Sequence, residues 1–240
     1  MARAAAAPAA KEPTPGTHRT DAVTDLALTM PIFVAYHIGV VFLPVRNAAD
    51  LVTSRLAALA EHSRAGYMAL TAGLGAVVVL ALLLLGHRDK LRASTFALVA
   101  VEGVVYAATM RYVAGAATSL VPMAAGATGE FDTFTAVVMS LGAGFYEELM
   151  FRVGAFALGA KFLLHLDDWP KWAVLPLWAL ACAAAFSLWH HLGPSGEPFE
   201  LRAFVFRTVC GLVFTVIYAF RGFAPAVWTH ALYDVWVMAL

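Results

Sequence analysis

The sequence predicts an all-α fold: a polytopic transmembrane helical bundle of about seven spans, with six and eight as the bounds. The 240-residue chain is 61% hydrophobic and only 13% charged. Its mean hydropathy of +0.75 lies far above that of soluble domains. Its apolar runs are about 20 residues long, enough for a helix to cross a hydrocarbon core of about 30 Å. These observations predict a multi-pass protein surrounded by the lipid bilayer.

Charge and cysteine content narrow the function classes. The formal net charge is zero, so the chain lacks the basic surface that nucleic-acid binding requires, and we expect no nucleic-acid partner. The two cysteines, Cys182 and Cys210, both fall within apolar stretches. We expect two buried thiols that pack as small core residues rather than a disulfide.

The chain divides into a tail and a membrane domain. Residues 1–22 are rich in Ala, Pro and charged residues and have no apolar signal core, so we expect a disordered tail and no cleaved signal peptide. Residues 23–240 are expected to form the membrane domain. Within it, residues 45–66 mix charges with Leu and Ala, which suits an amphipathic interfacial helix. The predicted spans are 25–44, 67–86, 93–113, 134–160, 172–192, 203–221 and 225–240.

Ionisable residues inside the last spans are the main functional signal. One charged side chain at a bilayer centre costs about 2.5–3.5 kcal/mol on insertion scales. Several of them facing lipid would exceed the stability of a typical fold. We therefore expect them to face one another or a wet cavity. The residues are Glu147, Glu148, Arg152, His190, His230 and Asp234.

Helical spacing supports this convergence. Glu148 and Arg152 are four residues apart and thus one turn apart on the same face, with the acid first. Glu147 is rotated by about 100° from Glu148, so one carboxylate can pair with Arg152 while the other points elsewhere. His230 and Asp234 have the same four-residue spacing. A carboxylate, two imidazoles and a second acid around one cavity could activate water and stabilise an oxyanion.

Other residues have simpler expected roles. Phe186 is expected to form a packing wall of the site without taking part in the chemistry. His191 is expected to lie beside the site or at the membrane interface. His37 and Glu102 are intramembrane and polar without a partner at helical spacing, so we expect interhelical hydrogen bonds. The small residues of 181–187 would let neighbouring helices approach closely.

Several alternatives compete with a catalytic cluster. Glu148 and Arg152 could form only a structural ion pair. Glu and His side chains could also ligate zinc, although the sequence has no HExxH motif. A proton-relay transporter could use the same charges, but the spans show no paired repeats. A non-catalytic membrane scaffold is a further alternative.

Three motifs in order resemble those of a known family. The chain contains Glu-Glu-Leu-Met-Phe-Arg at 147–152, Phe-Ser-Leu-Trp-His at 186–190 and His-Ala-Leu-Tyr-Asp at 230–234. They match the EExxxR, FxxxH and HxxxN/D signature of the CAAX protease and bacteriocin-processing (CPBP) intramembrane endopeptidases. The resemblance covers about 134–240, which we expect to be the protease core.

The resemblance implies metal-independent, glutamate-dependent peptide hydrolysis inside the membrane, with no cofactor. It implies that Glu147 activates water with the assistance of His190, and that Glu148 and Arg152 support and position the helix. His230 would help to hold the oxyanion. The last motif position is often Asn in the family but is Asp234 here. An ionised Asp has no hydrogen to donate to an oxyanion, so Asp234 could instead orient His230.

The tail and the first span also resemble the myxosortase branch of the family. Its bacterial members are associated with C-terminal sorting signals on surface proteins. We therefore expect a multi-pass protein of the bacterial inner (cytoplasmic) membrane. Its expected partner is a membrane-embedded or lipidated peptide substrate, for which sorting signals are one class.

Overall fold

The computed structural model describes residues 21–60, 63–85, 91–119, 121, 132–166, 170–193 and 196–240. Within these ranges all regular structure is helical and no β-strand occurs, which confirms the predicted all-α fold. The helices are α1 (Ala22–Gly39), α2 (Leu51–Leu59), α3 (Arg64–Leu85), α4 (Ala93–Thr118), α5 (Thr133–Gly142), α6 (Gly159–Leu166), α7 (Lys171–Trp189), α8 (Leu201–Arg221) and α9 (Phe223–Met238). The predicted tail at 1–22 lies almost entirely outside the described residues.

Six helical stretches of the described chain are long and apolar enough to cross a membrane. They correspond to the first six predicted spans, so the polytopic architecture is confirmed. The seventh predicted span, 225–240, forms α9, which has only 16 residues. At 1.5 Å per residue it is about 24 Å long, shorter than a hydrocarbon core. The fourth span is longer than predicted and runs from Thr133 to Leu166.

Aspartates begin three of the helices. Asp21, Asp50 and Asp132 each accept hydrogen bonds from backbone N–H groups in the first turn of α1, α2 and α5. Such caps satisfy donors that have no partner within the helix. The predicted interfacial helix at 45–66 is correspondingly shorter than expected, because helix forms only after Asp50 and α3 already begins at Arg64.

The short helix α9 lies at the centre of the bundle. It contacts α1, α4, α5 and α8, and most of its first eleven residues are buried. In contrast, α3 lies at the periphery against α1 and α2 and exposes Val77, Leu80 and Leu84. Because other helices enclose the first part of α9, Thr229 and His230 are buried against protein.

Small residues bring the site-bearing helices together. A Cβ on Gly211 of α8 would lie 3.1 Å from the Cα of Ala183 in α7. This close approach confirms the prediction from the small residues of 181–187. A Cβ on Gly144 would lie 2.8 Å from the backbone nitrogen of Ala231 in α9. These contacts fix the spacing between the backbones that carry the site residues.

Candidate active site

The two adjacent glutamates lie on an unusually wound helix. Between α5 and α6 the chain is π-helical over Ala143–Glu147 and Leu149–Leu158, and Glu148 alone between them has α geometry. Sequence reasoning predicted α-helix here and was wrong about the winding. Long π-helical stretches are rare, and π-turns occur frequently at functional sites. Glu148 pairs with Arg152 while Glu147 does not, as expected, although both carboxylates approach His230.

Glu148 and Arg152 form a fully buried ion pair. Arg152 Nε lies 3.0 Å from Glu148 Oε2, and the two side chains are 1% and 0% exposed. The guanidinium also donates to the carbonyl of Gly211 at 3.2 Å and lies over the rings of Phe186 and Phe214. The predicted pairing and the role of Phe186 as a packing wall are therefore confirmed. The pair locks the π-helix against α7 and α8.

His230 lies among three carboxylates. Its Nδ1 is 2.7 Å from Glu148 Oε1, and its Nε2 is 3.4 Å from Asp234 Oδ2 and 4.0 Å from Glu147 Oε2. The ring of Phe214 stacks on the imidazole with centroids 4.5 Å apart. The ring plane is thus fixed by stacking, and its rotation by the bond to Glu148. This arrangement leaves Nε2 directed toward Glu147 and Asp234.

Glu147 faces the second histidine. Its Oε2 lies 3.8 Å from His190 Nε2, which is beyond hydrogen-bond length. His190 follows the last residue of α7, and its Nδ1 lies 3.0 Å from the carbonyl oxygen of Phe186. A carbonyl only accepts, so Nδ1 carries the hydrogen and the Nε2 of a neutral ring is an acceptor. Glu147 Oε2 and His190 Nε2 therefore present two acceptors to the space between them.

The structure brings all six predicted residues into one connected cluster. Three of them, Arg152, His190 and His230, lie within 4.0 Å of Glu147 or Glu148, and Asp234 joins through His230. The side chains of His190 and Asp234 are 25% and 22% exposed, whereas that of Glu147 is 7% exposed. The cluster therefore opens on the side of His190 and Asp234.

One close neighbour was missed from the sequence. Asn47, in the loop before α2, donates from Nδ2 to Glu147 Oε1 at 2.8 Å and is itself buried. It precedes Glu147 by 100 residues, so no helical spacing connects the two. The only local signal is a polar Asn-Ala-Ala-Asp stretch immediately after the first span.

The remaining polar residues have structural partners. His37 contacts the hydroxyls of Tyr67 and Tyr146, and Glu102 pairs with Arg221 of α8. The interhelical bonds predicted for His37 and Glu102 are thus confirmed. The Nδ1 of His191 lies 3.2 Å from a carbonyl oxygen of the loop before α8, and its position beside the site or at the interface stays a prediction.

The described residues contain neither a disulfide nor a candidate metal-binding group. Cys182 and Cys210 are buried and free, as predicted. Among the described residues, no group of three or more His, Cys, Asp or Glu side chains could hold a metal ion.

Comparison with known proteins identifies the region that carries the cluster. Residues 129–236, a little under half of the chain, match the family described as type II CAAX prenyl endopeptidase Rce1-like. No curated protein and no solved structure gives a significant match. The match does not assign a myxosortase branch, which stays a prediction. It does confirm the resemblance carried by the three motifs: residues 129–236 match the Rce1-like proteases of the CPBP family.

Proposed function

We propose that this protein is an intramembrane glutamic endopeptidase in which Glu147 is the general base. The observation that carries the proposal is the 3.8 Å separation between Glu147 Oε2 and His190 Nε2. At that separation one water oxygen can lie within about 2.6–3.2 Å of both acceptors. Its two hydrogens would point to the carboxylate and the imidazole, and its lone pairs would face a peptide carbonyl.

Hydrolysis then follows from proton movement between these groups. Glu147 takes one proton as the water oxygen bonds to the carbonyl carbon, and the carbonyl π electrons become an oxyanion. When the C–N bond breaks, the proton held by Glu147 passes to the leaving nitrogen. The products are a carboxylic acid and an amine, and Glu147 returns to its ionised form; the remaining water proton then passes from the acid to the amine, which gives a carboxylate and an ammonium group.

His230 is suited to stabilise the oxyanion. With Nδ1 donating to Glu148, an N–H on Nε2 would point into the space between Glu147 and Asp234. A histidine can donate from both nitrogens only as an imidazolium, and the surrounding carboxylates favour that form. A preorganised cationic donor in a dry site is an effective stabiliser of developing negative charge. Asp234 would then position Nε2 and would not itself donate to the oxyanion.

The substrate class follows from the surroundings. The reacting groups lie within a bundle of apolar helices, so we propose a membrane-embedded or lipidated peptide as substrate. The family's description names CAAX prenyl peptides, which makes a prenylated peptide with a C-terminal CAAX sequence the first probe. We also propose that the protein lies in the bacterial cytoplasmic membrane. Peptides with a C-terminal sorting helix form the second probe class.

Comparison of peptide termini in membranes tests this proposal. Cells carrying Glu147→Gln should accumulate uncleaved membrane peptides, whereas Glu102→Gln, which alters another intramembrane carboxylate, should not. Purified full-length protein in liposomes should cleave at least one of the two probe classes. Identical termini in wild-type and Glu147→Gln membranes, with neither probe cleaved, would favour the scaffold alternative.

A further inference from the structure

We propose that Asn47 is a positioning residue for Glu147, so that a loop outside the family-matched region completes the active site. Asn47 lies in the connection between α1 and α2 and is distant in sequence from the matched residues 129–236. This inference rests on the proposed function, because positioning matters only if Glu147 is the base.

The amide of Asn47 is fixed in one orientation. Its Oδ1 accepts a hydrogen bond from the backbone N–H of Ala49 at 2.8 Å, so its Nδ2 is directed at Glu147 Oε1, also at 2.8 Å. The opposite orientation would place a carbonyl oxygen against the carboxylate and an amide donor against the Ala49 N–H. Both contacts would be repulsive, so the donor toward Glu147 is specified by the loop itself.

The loop is in turn anchored to two helices. Asp50 is buried and caps α2 by accepting from the N–H groups of Val52 and Thr53. The other oxygen of Asp50 accepts from the hydroxyl of Tyr36 in α1 at 2.7 Å, and the Asp50 N–H donates to the Asn47 carbonyl at 3.0 Å. Asn47 therefore sits in a turn whose polar groups are tied to fixed structure.

The two carboxylate oxygens of Glu147 therefore have different partners. Oε1 is occupied by the Asn47 amide, and Oε2 is the oxygen that faces His190 and His230. Without the amide, the carboxylate could rotate and offer either oxygen in several directions. Outer residues that orient a reacting group typically change activity by about 10–100-fold when they are lost.

The variant Asn47→Asp tests this role because it keeps the acceptor for Ala49, removes the donor and places a second carboxylate oxygen against Glu147 Oε1. We expect kcat for the cleaved probe to fall by about 10–100-fold, with KM changed by less than about twofold. Arg46→Ala, which alters an exposed neighbour in the same loop, should keep wild-type kcat. Wild-type kcat for Asn47→Asp, or a higher KM with unchanged kcat, would overturn the inference.

A double-mutant cycle measured by Tm, called the thermal cycle below, tests the contact independently of activity. Asn47→Asp should lower Tm by about 2–4 °C in the wild-type background, where two carboxylates then face each other. In the Glu147→Gln background the loss should disappear, because a glutamine amide can donate to Asp at position 47. If Asn47→Asp folds only when Glu147→Gln is also present, that result would support the contact equally. Equal losses in both backgrounds would overturn it.

The two sets of results separate this inference from the proposed function. If Glu147→Gln keeps activity while the thermal cycle shows coupling, the contact is real and the assignment of the base is wrong. If Glu147→Gln is inactive and Asn47→Asp behaves as wild type in both tests, only the role of Asn47 is wrong.

Discussion

Replacing Arg152 with Ala should destabilise the whole bundle, because it leaves a carboxylate buried without its main counter-charge. Arg152 and Glu148 are 1% and 0% exposed, and their closest charged atoms are 3.0 Å apart. Breaking a buried pair by removing one partner costs about 3–5 kcal/mol. The variant also loses the contacts of the guanidinium with the rings of Phe186 and Phe214, whose centroids lie 4.6 and 5.0 Å from Arg152 Cζ.

The expected loss does not equal the sum of these contacts, because contacts that share one side chain are not additive. His230 still donates to Glu148 at 2.7 Å in the variant, which offsets part of the orphaned charge. We therefore expect about 3–5 kcal/mol in total. For a chain of this size that corresponds to a fall in Tm of about 6–20 °C.

Thermal unfolding in detergent measures this loss, with two further variants as controls. Glu148→Gln in the Arg152→Ala background removes the orphaned charge and should recover about half of the stability or more. Arg207→Ala breaks the pair with Glu197, which is 56% exposed in the loop before α8, and should cost about 1 kcal/mol or less. An unchanged Tm for Arg152→Ala together with lost activity would refute the structural role and make Arg152 a ligand of substrate or transition state.

Three further perturbations test the geometry and chemistry of the site. Gly144→Ala should lower the cleavage rate by about 10²-fold, because its Cβ would lie 2.8 Å from the backbone nitrogen of Ala231 and displace α9. Gly154→Ala, whose Cβ would meet its nearest neighbour at 3.6 Å, is the control, and equal rates would contradict this expectation. Asp234→Asn should retain more activity than Asp234→Ala, since the amide oxygen can still accept from His230 Nε2. An Ala variant as active as wild type would remove Asp234 from the site. Treatment with a strong chelator should leave the rate unchanged, and a loss that zinc alone restores would favour the zinc-protease alternative.

Local spacing allowed much of the site to be predicted from the sequence. Glu148 and Arg152 lie four residues apart on one helix, as do His230 and Asp234, so short-range geometry dictates their contacts. The cost of exposing such charges to lipid predicted that the separate helices would bring them together. Apolar run length likewise predicted the six long helices and their order in the chain.

Features that depend on tertiary packing were not predictable. The contact between Asn47 and Glu147 spans 100 residues and depends on how the loop before α2 folds back. The π-helical winding around Glu148 leaves no pattern of hydrophobicity that differs from an α-helix. The 16-residue α9 was predicted as a span because its composition is apolar. It is shorter than a membrane core and lies within the bundle, where its apolar residues pack against other helices.

The central claim, that Glu147 supplies the base, is tested most directly by a single-turnover cleavage rate. Wild type and Glu147→Gln, each in excess over a peptide probe in liposomes, would be compared so that binding and product release do not limit the rate. The variant keeps the shape of the side chain and should keep its fold, while the rate falls by about 10²–10⁴-fold. A single-turnover rate for Glu147→Gln equal to that of the wild type would contradict the assignment.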